Sequence, residues 1–232
     1  MASALALNDD LIERARREFT KYAGDPFVVD VLAPQSPMAK VVWMLHSEKF
    51  AKAQKRLTPL LAAEPENPSL LFLASQAAAA LDSYEAAISF AEKCITIDPD
   101  FTDAHFNLAF AHEALQHHEQ ALGSYRAALA LEDDHESSAF NLILLLRRLD
   151  LHVEAAEVGG RTLAALPMAL MVRYKHAETL AILGRPNDSL RELEKIVERD
   201  PAASKSVADN EHFAPYLEIQ EWQLLIECDH IV

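Results

Sequence analysis

Small residues recur at Ala53, Ala87, Ala121, Ala155 and Ser189, each 34 positions after the last. A second series, Pro65, Pro99, Pro167 and Pro201, keeps the same period, with Asp133 standing in its one gap. Two independent markers in one register constrain this chain more than any other feature. Two helices cross closely only where a side chain is small. A proline cannot continue a helix, so it ends one cleanly. The period therefore predicts five helix–turn–helix units, 34–67, 68–101, 102–135, 136–169 and 170–203, with no insertion between them. Only five glycines in 232 residues, with abundant Ala and Leu, favour helix throughout. In such an array each unit packs on its neighbours, and the core is a ribbon.

Residues 102–135 carry the pattern most fully. Leu108 lies in the first helix, then Ala121, Tyr125 and Ala128 in the second. This resembles the tetratricopeptide repeat, a helix–turn–helix of 34 residues. Asp133 departs from the family's proline. The resemblance implies an all-α fold, a right-handed α-solenoid superhelix with helical caps at both ends.

The ends leave the register. In 1–33, Asn8 or Asp9 can cap a helix over 8–23 with Leu11, Ile12, Ala15, Phe19 and Tyr22 on one stripe. Gly24-Asp25-Pro26 ends it, and the apolar stretch 27–32 follows as an arm. That arm either lids the first repeat or enters a groove. In 204–232, apolar clusters at Phe213–Leu217 and Trp222–Ile226, interrupted by Pro215, are expected to form short capping helices. Two irregularities lie inside the array. Pro59 should kink or shorten the second helix of the first repeat. Gly159-Gly160 sits in the second helix of the fourth, at about 1 kcal/mol per glycine. Gly159 takes the aromatic packing position, so the contact there is expected to be unusually close or loose, and the array to bend.

Charge and composition narrow the function. With 36 acidic against 21 basic residues the net charge is −15, which argues against binding nucleic acid or anionic membrane and mildly favours basic partners. Cys94 and Cys228 form no disulfide framework or zinc spacing, and Cys94 falls at a small packing position as a buried thiol. No apolar run approaches the ~20 residues needed to span a bilayer. The first residues lack a basic region and a long apolar core, so a cytoplasmic location without a secretory leader is expected. Phosphate loops, nucleophile elbows and His-Glu-x-x-His helices are missing from the sequence. His105 and His112 share a helix face but take packing positions, while His117, His118 and His152 take turns. No metal, no cofactor and no catalytic residue are expected.

Binding is where the residues are informative. Packing consumes positions 4, 7, 8, 11, 20, 24 and 27 of each repeat. Positions 5, 9 and 12 of the first helix remain as a stripe. Position 5 reads Met38, Phe72, Phe106, Phe140 and Tyr174; position 9 reads Val42, Gln76, Phe110, Leu144 and Glu178; position 12 adds Arg147 in the fourth repeat. Position 6 reads Asn107, Asn141 and Lys175 in the last three. In the family this stripe lines the concave surface, and Asn at position 6 reaches a ligand's main chain. The resemblance thus implies a partner-binding groove made of these fourteen residues. The family's carboxylate clamp for chaperone tails does not fit, because only Asn141 and Lys175 match while Phe106, Phe110 and Met171 fill its other places. The expected function is a non-catalytic adaptor or scaffold that holds a protein or peptide ligand, basic or apolar. The alternatives are an escort chaperone for an apolar client segment and a self-assembling homo-oligomeric subunit.

Overall fold

The structure, a computed structural model, describes residues 37–226. The helix and arm expected within 8–32 lie outside these residues. The chain divides into two compact units, 1–115 and 116–232, and the division falls between the two helices of the third repeat.

In the first unit α1 (Pro37–His46), α2 (Phe50–Ala63), α3 (Pro68–Ala79), α4 (Tyr84–Ile97) and α5 (Thr102–Ala114) follow in order. Each helix packs on the next, and α3 also touches α1 and α5. That pattern, successor plus next-but-one, is how a repeat array builds its ribbon. Met38, Val41, Leu45, Leu57 and Leu70 anchor one end of the core. The start of α3 shows how the sequence sets a boundary. Pro68 takes the first turn, where its missing N–H costs nothing, and the Asn67 side chain accepts from the Leu70 amide at 3.2 Å.

In the second unit come α6 (His118–Leu131), α7 (Glu136–Arg148), α8 (His152–Ala165), α9 (Leu170–Ile182) and α10 (Pro186–Val197). Then follow α11 (Ala203–Ala208), a 3₁₀ turn (Ala214–Tyr216) and α12 (Gln220–Ile226). Neighbours pack in sequence again, α7 touches α9, and α11 and α12 close on α10. Val207, Phe213, Trp222 and Leu225 join Leu193, Ile196 and Val197 in one buried cluster. Phe213 sits edge-on to Tyr174 at 5.9 Å between ring centres and lies 5.5 Å from Trp222. These aromatic pairs cover the last repeat, so α11 and α12 form a helical cap at the C-terminal end.

The small-residue register is visible directly. Ala53, Ala87, Ala121, Ala155 and Ser189 are all fully buried. So are the position-8 residues Val41, Ser75, Ala109, Ile143 and Ala177. In the fifth repeat the two series touch: Ser189 Oγ donates to the Ala177 carbonyl at 2.8 Å. A third marker has the same period. Glu48, Asp82, Gln116, Asp150 and Gly184, 34 apart, adopt left-handed φ of 55°, 56°, 61°, 60° and 68° just after each first helix. At Asp150 the amide donates to the Arg147 carbonyl at 3.1 Å and the Leu151 amide to the Leu146 carbonyl at 2.8 Å, a Schellman cap. Only the fifth repeat uses glycine there.

One expectation changes, and at Gly159 one of two alternatives holds. Pro59 does not shorten α2, which runs 14 residues, as do α4, α6 and α8. Pro59 is exposed, so the missing hydrogen bond falls on a face open to water. At Gly159 the contact is close: a Cβ placed there would meet His176 Nδ1 at 2.5 Å, Cγ at 2.8 Å and Cβ at 2.9 Å. The glycine makes room for an imidazole.

Candidate functional site

Within the first unit the stripe is not uniform. Met38 is buried in the core with Val41 and Leu45, so it is a packing residue and not an open wall. The physical reason is that α2 and α3 close over the face of α1 that carries it. Val42 and Phe72 are half-buried and pack against the same core. Phe72 also lies 5.2 Å from Phe101. Gln76 is exposed. On α5, Phe106 and Phe110 stack at 6.5 Å one turn apart, with Phe110 43% exposed. Asn107 is buried at 7% exposure, and its Nδ2 makes no hydrogen bond. It is not an open reader of a main chain in this structure. Near it, His105 is committed to the fold: its Nε2 sits 2.9 Å from the Pro99 carbonyl.

In the second unit Leu144, Arg147, Lys175 and Glu178 come together. They line an open cleft of about 690 Å³ with Arg148, His152, Ile182 and the turn Asp209–His212. Phe140 and Asn141 stand half-buried one to two turns earlier on α7. At the cleft floor Glu178 is only 3% exposed. Its carboxylate accepts from Arg147 Nη1 and from Lys175 Nζ at 3.1 and 3.2 Å. The Asn210 carboxamide donates to it at 2.7 Å and to the Tyr174 hydroxyl at 2.9 Å. Tyr174 in turn donates to the Ser206 carbonyl at 3.0 Å. Burial pulls the Glu178 carboxyl up, but the hydrogen bonds and charges of Arg147 and Lys175 outweigh it and hold it below its ordinary range. Two cations share this one carboxylate, and with Arg148, Asp209 and Glu211 also lining the cleft its formal charges balance.

The repeat pattern does not point to the turn 209–212 as part of this site. Its signal is local: Asn210 Oδ1 accepts from the His212 amide at 2.9 Å, an Asx turn that any Asn-x-His could make. Arg173 is a second group outside the pattern. It is buried at a packing position, pairs with Glu192 and donates to the Pro167 carbonyl.

Elsewhere the reactive side chains are quiet. Cys94 is free and buried, and its Sγ lies 3.2 Å from the Pro68 carbonyl. Burial, and secondarily Asp98, pushes its thiol up to about 12, far from a reactive thiolate. Among the described residues no three His, Cys, Asp or Glu side chains gather in a group that could hold a metal, and no helix is long and apolar enough to cross a membrane.

Two family models described as tetratricopeptide repeat match, one over residues 45–100 and one over 102–135. No curated protein matches the chain. Among solved structures it is similar to the crystal structure of MamA, at 18% identity over 73% of this chain and 92% of that one, TM-score 0.60. It is similar to TTC0263, a thermophilic TPR protein of Thermus thermophilus, at 18% identity over 79% and 97%, TM-score 0.58. YrrB, a TPR protein with an unusual peptide-binding site, is similar at 14% identity over 74% and 89%, TM-score 0.60. At these identities the likeness is one of fold, an all-α solenoid, and it agrees with the period of 34 and the paired helices. The chain is a tetratricopeptide-repeat protein, a protein-interaction adaptor in the general sense.

Proposed function

We propose that this adaptor is non-catalytic and holds an extended or helical segment of a partner protein along the first-helix faces of its repeats. The observation that carries this reading is the cleft on α7 and α9. It joins an apolar wall, Leu144 and Ile182, to a hydrogen-bonding floor built on Glu178. Asn141, on the preceding turn of α7, is half-buried, and its carboxamide carries both a donor and an acceptor. A main chain offers the complementary pair at every residue, which lets one amide hold a segment without reading its sequence. In the first unit the exposed Phe110, backed by Phe106, is an apolar ledge of the kind a partner residue covers.

The test is affinity capture from a cell lysate with quantitative mass spectrometry. The wild type is compared with Asn141→Ala and with Leu144→Asp. Both positions are half-buried, so both variants are expected to fold. A partner that uses the cleft is lost from both, more completely from Leu144→Asp, where a charge replaces the apolar wall. Partners retained by both variants would place binding on other surfaces and overturn the reading.

A further inference from the structure

His176 lies at the crossing of α8 and α9, over Gly159 and Gly160. A Cβ on Gly159 would overlap its ring at 2.5 and 2.8 Å and its Cβ at 2.9 Å, and one on Gly160 would lie 3.9 Å from Cε1. The Nδ1 is buried and has no hydrogen-bond partner. This register reads Lys40, Ala74, Leu108 and Leu142 in the earlier repeats, so the two preceding ones fill it with leucine. The fifth repeat has an imidazole instead, and Gly159, where the third repeat has Tyr125, leaves room for it.

We propose that the His176–Gly159 crossing is an acid-sensitive joint, closed when the imidazole is neutral and loosened when it takes a proton.

The groups around the ring explain why a proton is not accommodated. From α8 it meets two glycines, which have no side chain to offer. From α10 it faces Glu192 and Lys195, from the turn before α10 Arg185, and from its own helix Arg173. Glu192 is the one carboxylate among these, and it is already engaged. It accepts from Arg173 and, at 2.7 Å, from Lys195. Arg185 is held by Asp188 at 2.7 Å. A protonated His176 would therefore be another cation beside a carboxylate, Glu192, that already serves two. Burial, the largest influence, and the three cations push the imidazole below its ordinary 6.5, while Glu192 opposes them. The sign follows. With the folded value lowered, the contribution to stability is complete above about 6.5 and is lost as pH falls from there through the folded-state value. Lys175 and Glu178, on the same helix, line the cleft of the second unit. Loosening α9 would disturb that wall, so mildly acidic conditions would also weaken anything held there. The joint itself does not depend on the cleft being a binding site.

The test uses the full chain and its His176→Leu variant, which restores the residue of the two preceding repeats. Amide hydrogen exchange, corrected for the intrinsic pH dependence, is followed at pH 7.5 and pH 5.0. In the wild type, protection of residues 152–165 and 170–182 should fall severalfold at pH 5.0. In His176→Leu it should change less than about twofold, and α3 and α4 should respond alike in both proteins. An equal loss in wild type and variant would overturn the proposal. Should the variant fail to fold, the His176 C2 proton in the wild type decides. An ordinary imidazole titration, or a lowered one without loss of protection in α8 and α9, overturns the proposal. A lowered titration that tracks the loss supports it.

Discussion

The Asn210 carboxamide donates to Glu178 over 2.7 Å and so ties the turn after α11 to the middle of α9. Glu178 is the shared acceptor of Arg147, Lys175 and Asn210, and these partners differ in what their loss leaves behind. Asn210→Ala removes neutral hydrogen bonds to Glu178, Tyr174 and the His212 amide and should cost about 1–3 kcal/mol. Glu178→Ala strands two cations in a largely buried place and should cost about 3–5 kcal/mol. Chemical denaturation read at Trp222, which is buried in the C-terminal cluster, measures both. Equal losses would contradict the arrangement. Glu178 also has a pH signature. Its carboxyl is held below its ordinary 4.5, so its contribution is present above that value and is lost as pH falls through the folded-state one. Glu178→Gln should remove this part of the acid sensitivity.

The two glycines of α8 should answer oppositely to the same change. Gly160→Ala meets nothing closer than 3.9 Å and gains helix propensity, so it should stabilise by up to about 1 kcal/mol. Gly159→Ala forces a methyl into His176 and should destabilise by about 1–3 kcal/mol despite that gain. In a His176→Ala background the Gly159→Ala cost should shrink, because the ring atoms at 2.5 and 2.8 Å are gone, but not vanish, because the Cβ at 2.9 Å remains. Thermal melts of the parent, the single variants and the double variant make the cycle.

The left-handed residues after the first helices form a natural series. Glu48, Asp82, Gln116 and Asp150 each hold a positive φ that costs an L-residue about 1 kcal/mol. Replacing Asp82 or Asp150 by Gly should therefore stabilise slightly, and Gly184→Ala should destabilise by a similar amount, although nothing lies within 4 Å of the new methyl. A neutral Gly184→Ala melt would show that this turn relaxes to another conformation.

Truncation after Ala203 should uncover Leu193, Ile196 and Val197, which now pack against Val207, Phe213 and Trp222. Light scattering should report association of the shortened chain at concentrations where the parent stays dispersed. A truncated protein with the parent's mass and melting temperature would mean that the segment 204–226 adds nothing to the fold.

Much of this was legible in the sequence because a repeat states each of its constraints several times. The buried small residue Ala121 has its counterparts at Ala53, Ala87, Ala155 and Ser189, and a pattern seen that often sets helix order without coordinates. Residues at caps were legible only in part. Asn67-Pro68 reads as a helix start, whereas Asp82 or Gln116 in a left-handed turn carries no glycine to announce it.

The sequence alone determined that five helix pairs follow one another at 34 residues and which small side chains sit where they cross, since both depend on local periodicity. Tertiary structure decided which members of one register are open. Met38 and Phe72 share a position, as do Asn107 and Asn141, yet one of each pair is buried and the other half-exposed. Glu178 and Phe110 share another, and only Phe110 is exposed. Exposure depends on what packs over a helix face, whether the α2–α3 layer at Met38 or the turn carrying Asn210 at Glu178. That covering comes from residues far along the chain, and the covered residue's own neighbours in sequence do not record it.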